Sequence, residues 1–419
     1  MHHWFSRQLG VGLVVIANVS IAVGDQGGGA VRLASDSAKT AADWPNFRGQ
    51  LHDGISREAN LRIDGEQPLP FLWDAEIGSA FSSFAVVNDR VYTCGATKDA
   101  QVLVALEAKT GKQLWQCPIG PPFKDSYGDG TRATPTVDDG RVYILGAHGH
   151  LRCVNAETGK VEWGKDFQHA PNWGYSASVL VDGDLAITTA GMEDGSIVAF
   201  DKRTGEARWK AGNDPVGYST PYPFTFEGQR YVAGFTGKRL IVVRPNDGSV
   251  ALEIPWETAW DVNAAAPIFH DGYLLVTSGY RTGAGVFRLS VSGDRLSAEN
   301  VWKSRALLNK FQSCILRDGY LYTSDQKELK CVEFVTGRKA WNVPKLKHGT
   351  LVLAKDHLYF LTDGGELQVA PASPLKFEPT MKAEILTGRC WTVSVIQGGR
   401  LFARNLDRVV CFDLSNNAG

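Results

Sequence analysis

What this chain lacks sets the first limits on what it does. No stretch reads Gly-x-Ser-x-Gly or His-Glu-x-x-His, and the glycines of Tyr280-Arg281-Thr282-Gly283-Ala284-Gly285 are not followed by the Lys-Ser/Thr end of a phosphate loop. Hydrolase chemistry therefore has no nucleophile to begin from. Charge is nearly balanced, 44 Lys and Arg against 45 Asp and Glu for a net of −1, which gives no electrostatic reason to expect nucleic acid or an anionic membrane as partner. No apolar run is of spanning length. The longest, Leu9 to Val23, covers about 15 residues where a crossing helix needs roughly 20. The seven cysteines are an odd number in 419 residues and do not read as a disulfide framework. None precedes Cys94, so the Cys that a lipid-anchored exported protein carries directly after its apolar run is missing, and lipid attachment is not expected.

The first 22 residues read as an export signal. Arg7, with His2 and His3, leads the apolar run, and Ser20-Ile21-Ala22 offers small residues where a signal peptidase cuts. An uncleaved anchor is the alternative. Residues 23–43, without periodicity, are expected to form a disordered linker, and 416–419 a short tail. The mature chain is thus expected in the periplasm or outside the cell, as a monomer with no membrane span.

What is abundant is repetition. Leu103 to Trp115 reads LVALEAKTGKQLW, and Leu151 to Trp163, Ile197 to Trp209 and Leu329 to Trp341 repeat its form. Each copy is a short strand, a turn at Thr-Gly, and a second strand ending in Trp. The glycine supplies the positive φ that a tight bulged hairpin needs. Tryptophans recur at 73, 115, 163, 209, 302 and 341, and a worn copy at Val242 to Gly248 has Leu252 in the Trp place. A period in the forties with four strands per unit is the mark of a propeller blade. Each unit opens on a strand of small residues running into an acidic-Gly turn, such as Ala133-Thr134-Pro135-Thr136-Val137 before Asp139-Gly140. Small side chains suit the crowded innermost strand.

The seventh unit, from His348 to about Thr380, has no Trp, and the eighth, Trp391 to Leu414, stops after three strands. Its missing fourth strand is present as Phe71-Leu72-Trp73-Asp74-Ala75. The expected fold is all-β: one eight-bladed β-propeller over 44–415 with four-stranded antiparallel blades, the N-terminal strand completing the C-terminal blade. Closure removes edges that would otherwise recruit other chains.

In such a ring the first residues of the innermost strands surround one mouth of the central channel. They are Phe81, Arg132, Tyr175, Tyr218, Asn263, Phe311 with Lys310, His348 and Trp391, with Asp261 just ahead of Asn263. Aromatic rings give contact area at small entropic cost, and Arg132, Asn263 and His348 could orient a polar ligand. The same groups could equally plug the channel by stacking on one another. Asp125 and Asp129 offer oxygens to a hard cation but match no EF-type loop, so a solvated turn is expected. His148-Gly149-His150 lacks a third ligand and reads as exposed turn histidines. Cys153, Cys331 and Cys411 occupy one repeat position and read as small core residues, while Cys94 and Cys117 are left as a pair that could bond.

The pattern Ala199-Phe200-Asp201-Lys202-Arg203-Thr204-Gly205 to Trp209 resembles the pyrroloquinoline-quinone (PQQ) propeller repeat. With Trp44 to Gly49, Arg132 to Val137, Asp261 to Ala265 and Thr387 to Thr392, the chain is similar to the exported bacterial PQQ-binding-like β-propeller repeat proteins over about 44–415. The resemblance implies that Trp73, Trp115, Trp163, Trp209, Trp302 and Trp341 dock neighbouring blades. It also implies two functional branches. One is the quinoprotein dehydrogenases, which hold PQQ and Ca²⁺ over the channel, commonly with an adjacent Cys-Cys disulfide on the quinone and an Asp as base. Here no two cysteines are adjacent, and in that branch Trp391 would be the stacking floor and Asp261 the base. The other is a non-catalytic periplasmic scaffold that helps assemble outer-membrane β-barrels. The leading expectation is an exported non-catalytic propeller binding a protein or small ligand at the mouth; the alternative is a PQQ-dependent alcohol or sugar dehydrogenase.

Overall fold

The computed structural model describes residues 43–65 and 68–416, so the expected signal at 1–22 and nearly all of the linker lie outside the described residues. The described residues fall in one compact unit. Eight sheets follow one another around a ring, and the only helical turns among the described residues are Met192–Asp194 and Ala259–Asp261. Blade one runs through Ala85–Val87, Arg90–Ala96, Gln101–Glu107 and Gln113–Gly120, and the next five blades repeat that meander. Blade seven takes Met381–Glu384 as its fourth strand, just beyond the limit the sequence suggested.

The eighth blade closes as expected. Phe71–Glu76 pairs antiparallel with Arg408–Asp413, setting Phe71 opposite Phe412 and Trp73 opposite Cys411. One arginine crosses this seam. Arg404 has no exposed surface, and its guanidinium donates to the carbonyls of Cys94 at 2.7 Å, Leu406 at 2.9 Å and Gly78 at 3.2 Å. Burial draws its pKa down to about 10, so it stays charged at neutral pH.

The indole N–H of each repeat tryptophan donates to a carbonyl in the next blade's outer hairpin, Trp73 to Ala108, Trp115 to Ala156, Trp163 to Lys202, Trp209 to Pro245, Trp302 to Phe334 and Trp341 to Ser373, at 2.7 to 3.1 Å. In all but Trp341 the indole face covers the Thr-Gly or Asp-Gly turn, and Trp341 meets Phe377 at 5.9 Å instead. A Cβ on Gly205 would stand 2.7 Å from Trp163 Cδ2, closer than real Cβ contacts come, and φ there is +72°. Gly205→Ala is therefore expected to cost about 2–4 kcal/mol, the sum of a left-handed alanine and an overpacked contact. Gly140, with the same φ and open space around it, gives the left-handed term alone, about 1–2 kcal/mol. Equal losses for Gly205→Ala and Gly140→Ala in thermal or chemical unfolding would show that the indole gives way freely.

Hydroxyls on the innermost strands lace neighbouring blades. Ser83 donates to the Val393 carbonyl at 2.6 Å, Thr136 to Val179 at 2.6 Å and Ser176 to Tyr218 at 2.8 Å. Small polar residues there both fit the crowding and satisfy carbonyls where blades meet. Cys153, Cys331 and Cys411 are fully buried, each opposite a docking Trp. Cys94 and Cys117 flank the same strand on its two sides, both opposite Leu103. A strand between them leaves them about two strand spacings apart, roughly 9–10 Å, too far to bond, and both are free and buried.

One feature has no counterpart in the sequence reading. The segment 43–62 crosses the channel at the end opposite the mouth. Trp44 exchanges backbone hydrogen bonds with Val86, Pro45 accepts from Val137, and Gly54 accepts from Leu353. Ile55–Ser56 then adds a parallel strand inside blade seven, against Leu353–Ala354. Arg48, buried, donates to Cys314 of blade six at 2.6 Å, and Glu58 accepts the Gly399 N–H of blade eight at 2.7 Å. These bonds tie the segment to five blades and hold it across that end.

Candidate functional site

Above this segment the mouth encloses a cavity of about 220 Å³. Its floor includes Phe47 from the crossing segment, and its walls come from the first channel-facing residues of the innermost strands. Trp391 is the centre of the aromatic wall. Phe81 stacks on it at 6.0 Å and 18°, and Phe311, His348 and Tyr127 meet it at 5.1, 5.8 and 6.0 Å. On the opposite side Trp173 leans on Tyr218 at 6.1 Å.

Of the residues expected at the mouth, Arg132, Tyr218 and Trp391 line the cavity together with Phe81, Phe311 and Lys310. Tyr175, Asn263, Asp261 and His348 do not. Side chains alternate faces along an extended strand, so in blades three and five the channel-facing positions are Ser176 and Ala264. Tyr175 turns into the blade, where its hydroxyl donates to Ala190 at 2.7 Å. Asn263 is buried beside its own loop, its amide donating to Thr236 and Trp256 while its oxygen accepts from Ser278 at 2.7 Å. Asp261 points at Lys238, 3.0 Å away. His348 lies flat on Phe311 at 5.7 Å, and burial, with Lys310 nearby, lowers its pKa.

Arg132 is committed to structure. It donates to the carbonyls of Trp173 at 3.0 Å, Gly128 at 2.8 Å and Gly130, and stands 3.5 Å from Asp125. It thereby pins the loop 124–131 over the cavity edge, with Phe123 under its cation at 4.4 Å. Burial pulls its pKa down to about 10, against the opposing field of Asp125. Asp125 and Asp129 are braces of this loop: Asp125 accepts the Tyr127 N–H and Asp129 takes Lys124 at 2.6 Å. His148 and His150 are half-buried rather than exposed, and His148 meets the Pro122 carbonyl at 3.1 Å.

Lys310 and Tyr218 are among the wall groups that no ion pair or donated hydrogen bond holds. Lys310 has no carboxylate partner; its ammonium lies between Tyr127 and Tyr280, 5.3 and 5.4 Å from the ring centres, and desolvation lowers its pKa. The buried Tyr218 hydroxyl donates to no acceptor, with only the Trp173 backbone close to it, and its pKa is pushed up to about 12 by burial. Tyr127, Trp173, Tyr280 and Phe47 escaped the sequence reading because they sit on loops and on the crossing segment, where no repeat marks them. The only hint was position: Tyr127 falls in the distinctive loop before Arg132, and Tyr280 opens the glycine-containing turn.

A quinone held with Ca²⁺ needs oxygen donors, carboxylates above all. Among the described residues no group of three or more His, Cys, Asp or Glu could hold a metal ion. The one carboxylate in the lining, Asp125, faces Arg132, and Asp261 lies outside the lining with Lys238. This donor set does not fit a calcium-bound quinone. No helix among the described residues is long and apolar enough to cross a membrane.

Comparison with known proteins places these features in context. The family model described as outer membrane protein assembly factor BamB matches residues 98–343. A protein of that name from Burkholderia pseudomallei is 28% identical over 192 residues, 44% of this chain and 45% of its own length. The quinohemoprotein alcohol dehydrogenase ADH-IIG of Pseudomonas putida is also 28% identical, over 137 residues, 30% of this chain and 18% of its own. The chain thus spans less than half the length of either curated relative. The crystal structure of BamB from Moraxella catarrhalis superposes with a TM-score of 0.59 at 15% identity, covering 83% of this chain and all of that one, a likeness of fold.

Proposed function

Starting from the premise that this chain belongs to the family described as outer membrane protein assembly factor BamB, we propose that it is a non-catalytic binding propeller. Its mouth holds an apolar, ring-bearing ligand or side chain. The observation that carries this reading is the aromatic wall centred on Trp391 around a cavity that holds no uncommitted carboxylate. Such a site has surface for binding but no free carboxylate to take a proton. The alternative, a PQQ-dependent alcohol or sugar dehydrogenase, would require a base over the quinone, and Asp261 is held by Lys238 away from the cavity. Export to the periplasm or beyond belongs to the same reading, resting on residues 1–22 and on the relatives' names.

The test is direct. Titrating the purified protein with 2-naphthol and following tryptophan fluorescence is expected to show one saturable site, weakened at least about tenfold in Trp391→Ala. Adding PQQ with Ca²⁺ is expected to give no dye-linked alcohol oxidation. Turnover would overturn the non-catalytic reading, and an unaltered 2-naphthol affinity in Trp391→Ala would move the site away from the mouth.

A further inference from the structure

We infer that the ligand of the mouth is an aromatic monocarboxylic acid, its rings held against Trp391 and Phe311 and its carboxylate against Lys310, with no metal ion between them. The inference rests on the binding reading above and deepens it.

Three observations carry it. The first is charge. Lys310 lines the cavity without a carboxylate near it, and Arg389 stands at the same rim, its cation 4.6 Å from the Trp391 ring centre and 6.0 Å from that of Tyr127. Arg389 bonds the Tyr127 carbonyl and no acid. Lys310 and Arg389 are thus two positive charges without a counter-charge in a chain whose net charge is −1, and low-dielectric walls of aromatic rings focus their field on the opening. An anion completes this arrangement. The second is the scarcity of other polar partners. The lining hydroxyls of Ser83, Ser176 and Thr392 already donate to backbone carbonyls and those of Thr134 and Thr220 already accept backbone N–H groups, which leaves chiefly Tyr127 and Tyr280 besides Tyr218. A sugar or a polycarboxylate would bury many oxygens here with few donors to meet them, at a cost in affinity for each. A fused-ring acid buries almost none. The third is Tyr218. Its buried hydroxyl, which donates to no acceptor, lies in the wall. It calls for one hydrogen-bonding atom on the ligand, away from the carboxylate.

Affinities for 2-naphthoate, 2-naphthol and 6-hydroxy-2-naphthoate, measured calorimetrically with the full chain and with chelator present, decide the matter. Expected is 2-naphthoate binding at least about tenfold tighter than 2-naphthol, an advantage lost in Lys310→Met and reduced in Arg389→Met. The hydroxy-acid is expected to exceed 2-naphthoate in the native chain but not in Tyr218→Phe. Circular dichroism and melting temperature confirm that each variant is folded. If 2-naphthol binds as tightly as the acid, or if Lys310→Met leaves the acid's advantage intact, the acid inference fails while the binding reading stands. If neither compound binds, both fail. Binding of the acid that disappears with chelator would show that a metal carries the charge, and would overturn the inference in that way.

Discussion

Removal of residues 43–77 is expected to abolish the soluble monomer. The deletion takes away Phe71–Glu76, and with it every backbone bond that Arg408–Asp413 makes on its outer side. An open strand edge in the last blade is a template for pairing between chains. It also takes away Trp73, whose indole covers Gly111 of blade one, and the buried Trp44 and Leu61. A ring holds its first and last blades together only through such contacts, so the loss falls on the one seam that the chain's own continuity does not protect. Gel filtration should show aggregate in place of a monomer peak, and thermal melting should lose its cooperative step. A truncated chain that stays monomeric and melts like the parent would mean that the closing strand is dispensable.

Arg404→Met is expected to lower stability by about 3–5 kcal/mol, among the largest effects of any single substitution here. Replacing a buried charge by an apolar side chain is often harmless, because both partners can be replaced together. That escape is closed at this site. The acceptors are main-chain carbonyls of Cys94, Gly78 and Leu406, which no side-chain change removes. Each loses the guanidinium bond while remaining buried, although Leu406 keeps the Ala80 N–H. Arg404→Lys should recover only part of the loss, since an ammonium cannot reach all the acceptors that the planar fork spans. Denaturant unfolding measures the difference. A loss below about 1 kcal/mol for Arg404→Met would show that water replaces the guanidinium.

Much of the ring was legible in the sequence because its parts repeat. The Thr-Gly turns and their tryptophans fixed the blade hairpins, and the missing fourth strand after Leu414 pointed to Phe71–Ala75 at the other end. The mouth was legible only in part. Reading a ring of strand-starting residues located the right level of the channel but not the phase of each strand. A shift of one residue sends a side chain to the opposite face, and Tyr175 and Asn263 went into their blades by that parity. Nor does the sequence distinguish a free cation from a committed one. Arg132 spends its donors on three carbonyls, while Lys310, a neighbour named beside Phe311, is the group left over. The segment 43–62 was harder still. It is held by backbone bonds to blades one, two, seven and eight and by the Arg48 side chain to blade six, and such bonds leave no periodicity behind.

That segment has a consequence for traffic. With the far side of the torus stoppered, the lumen is a cul-de-sac rather than a conduit, and entry and departure share one doorway. A guest larger than the chamber must leave its remainder outside, on the rim where Trp260 stands two-thirds exposed in a left-handed backbone conformation.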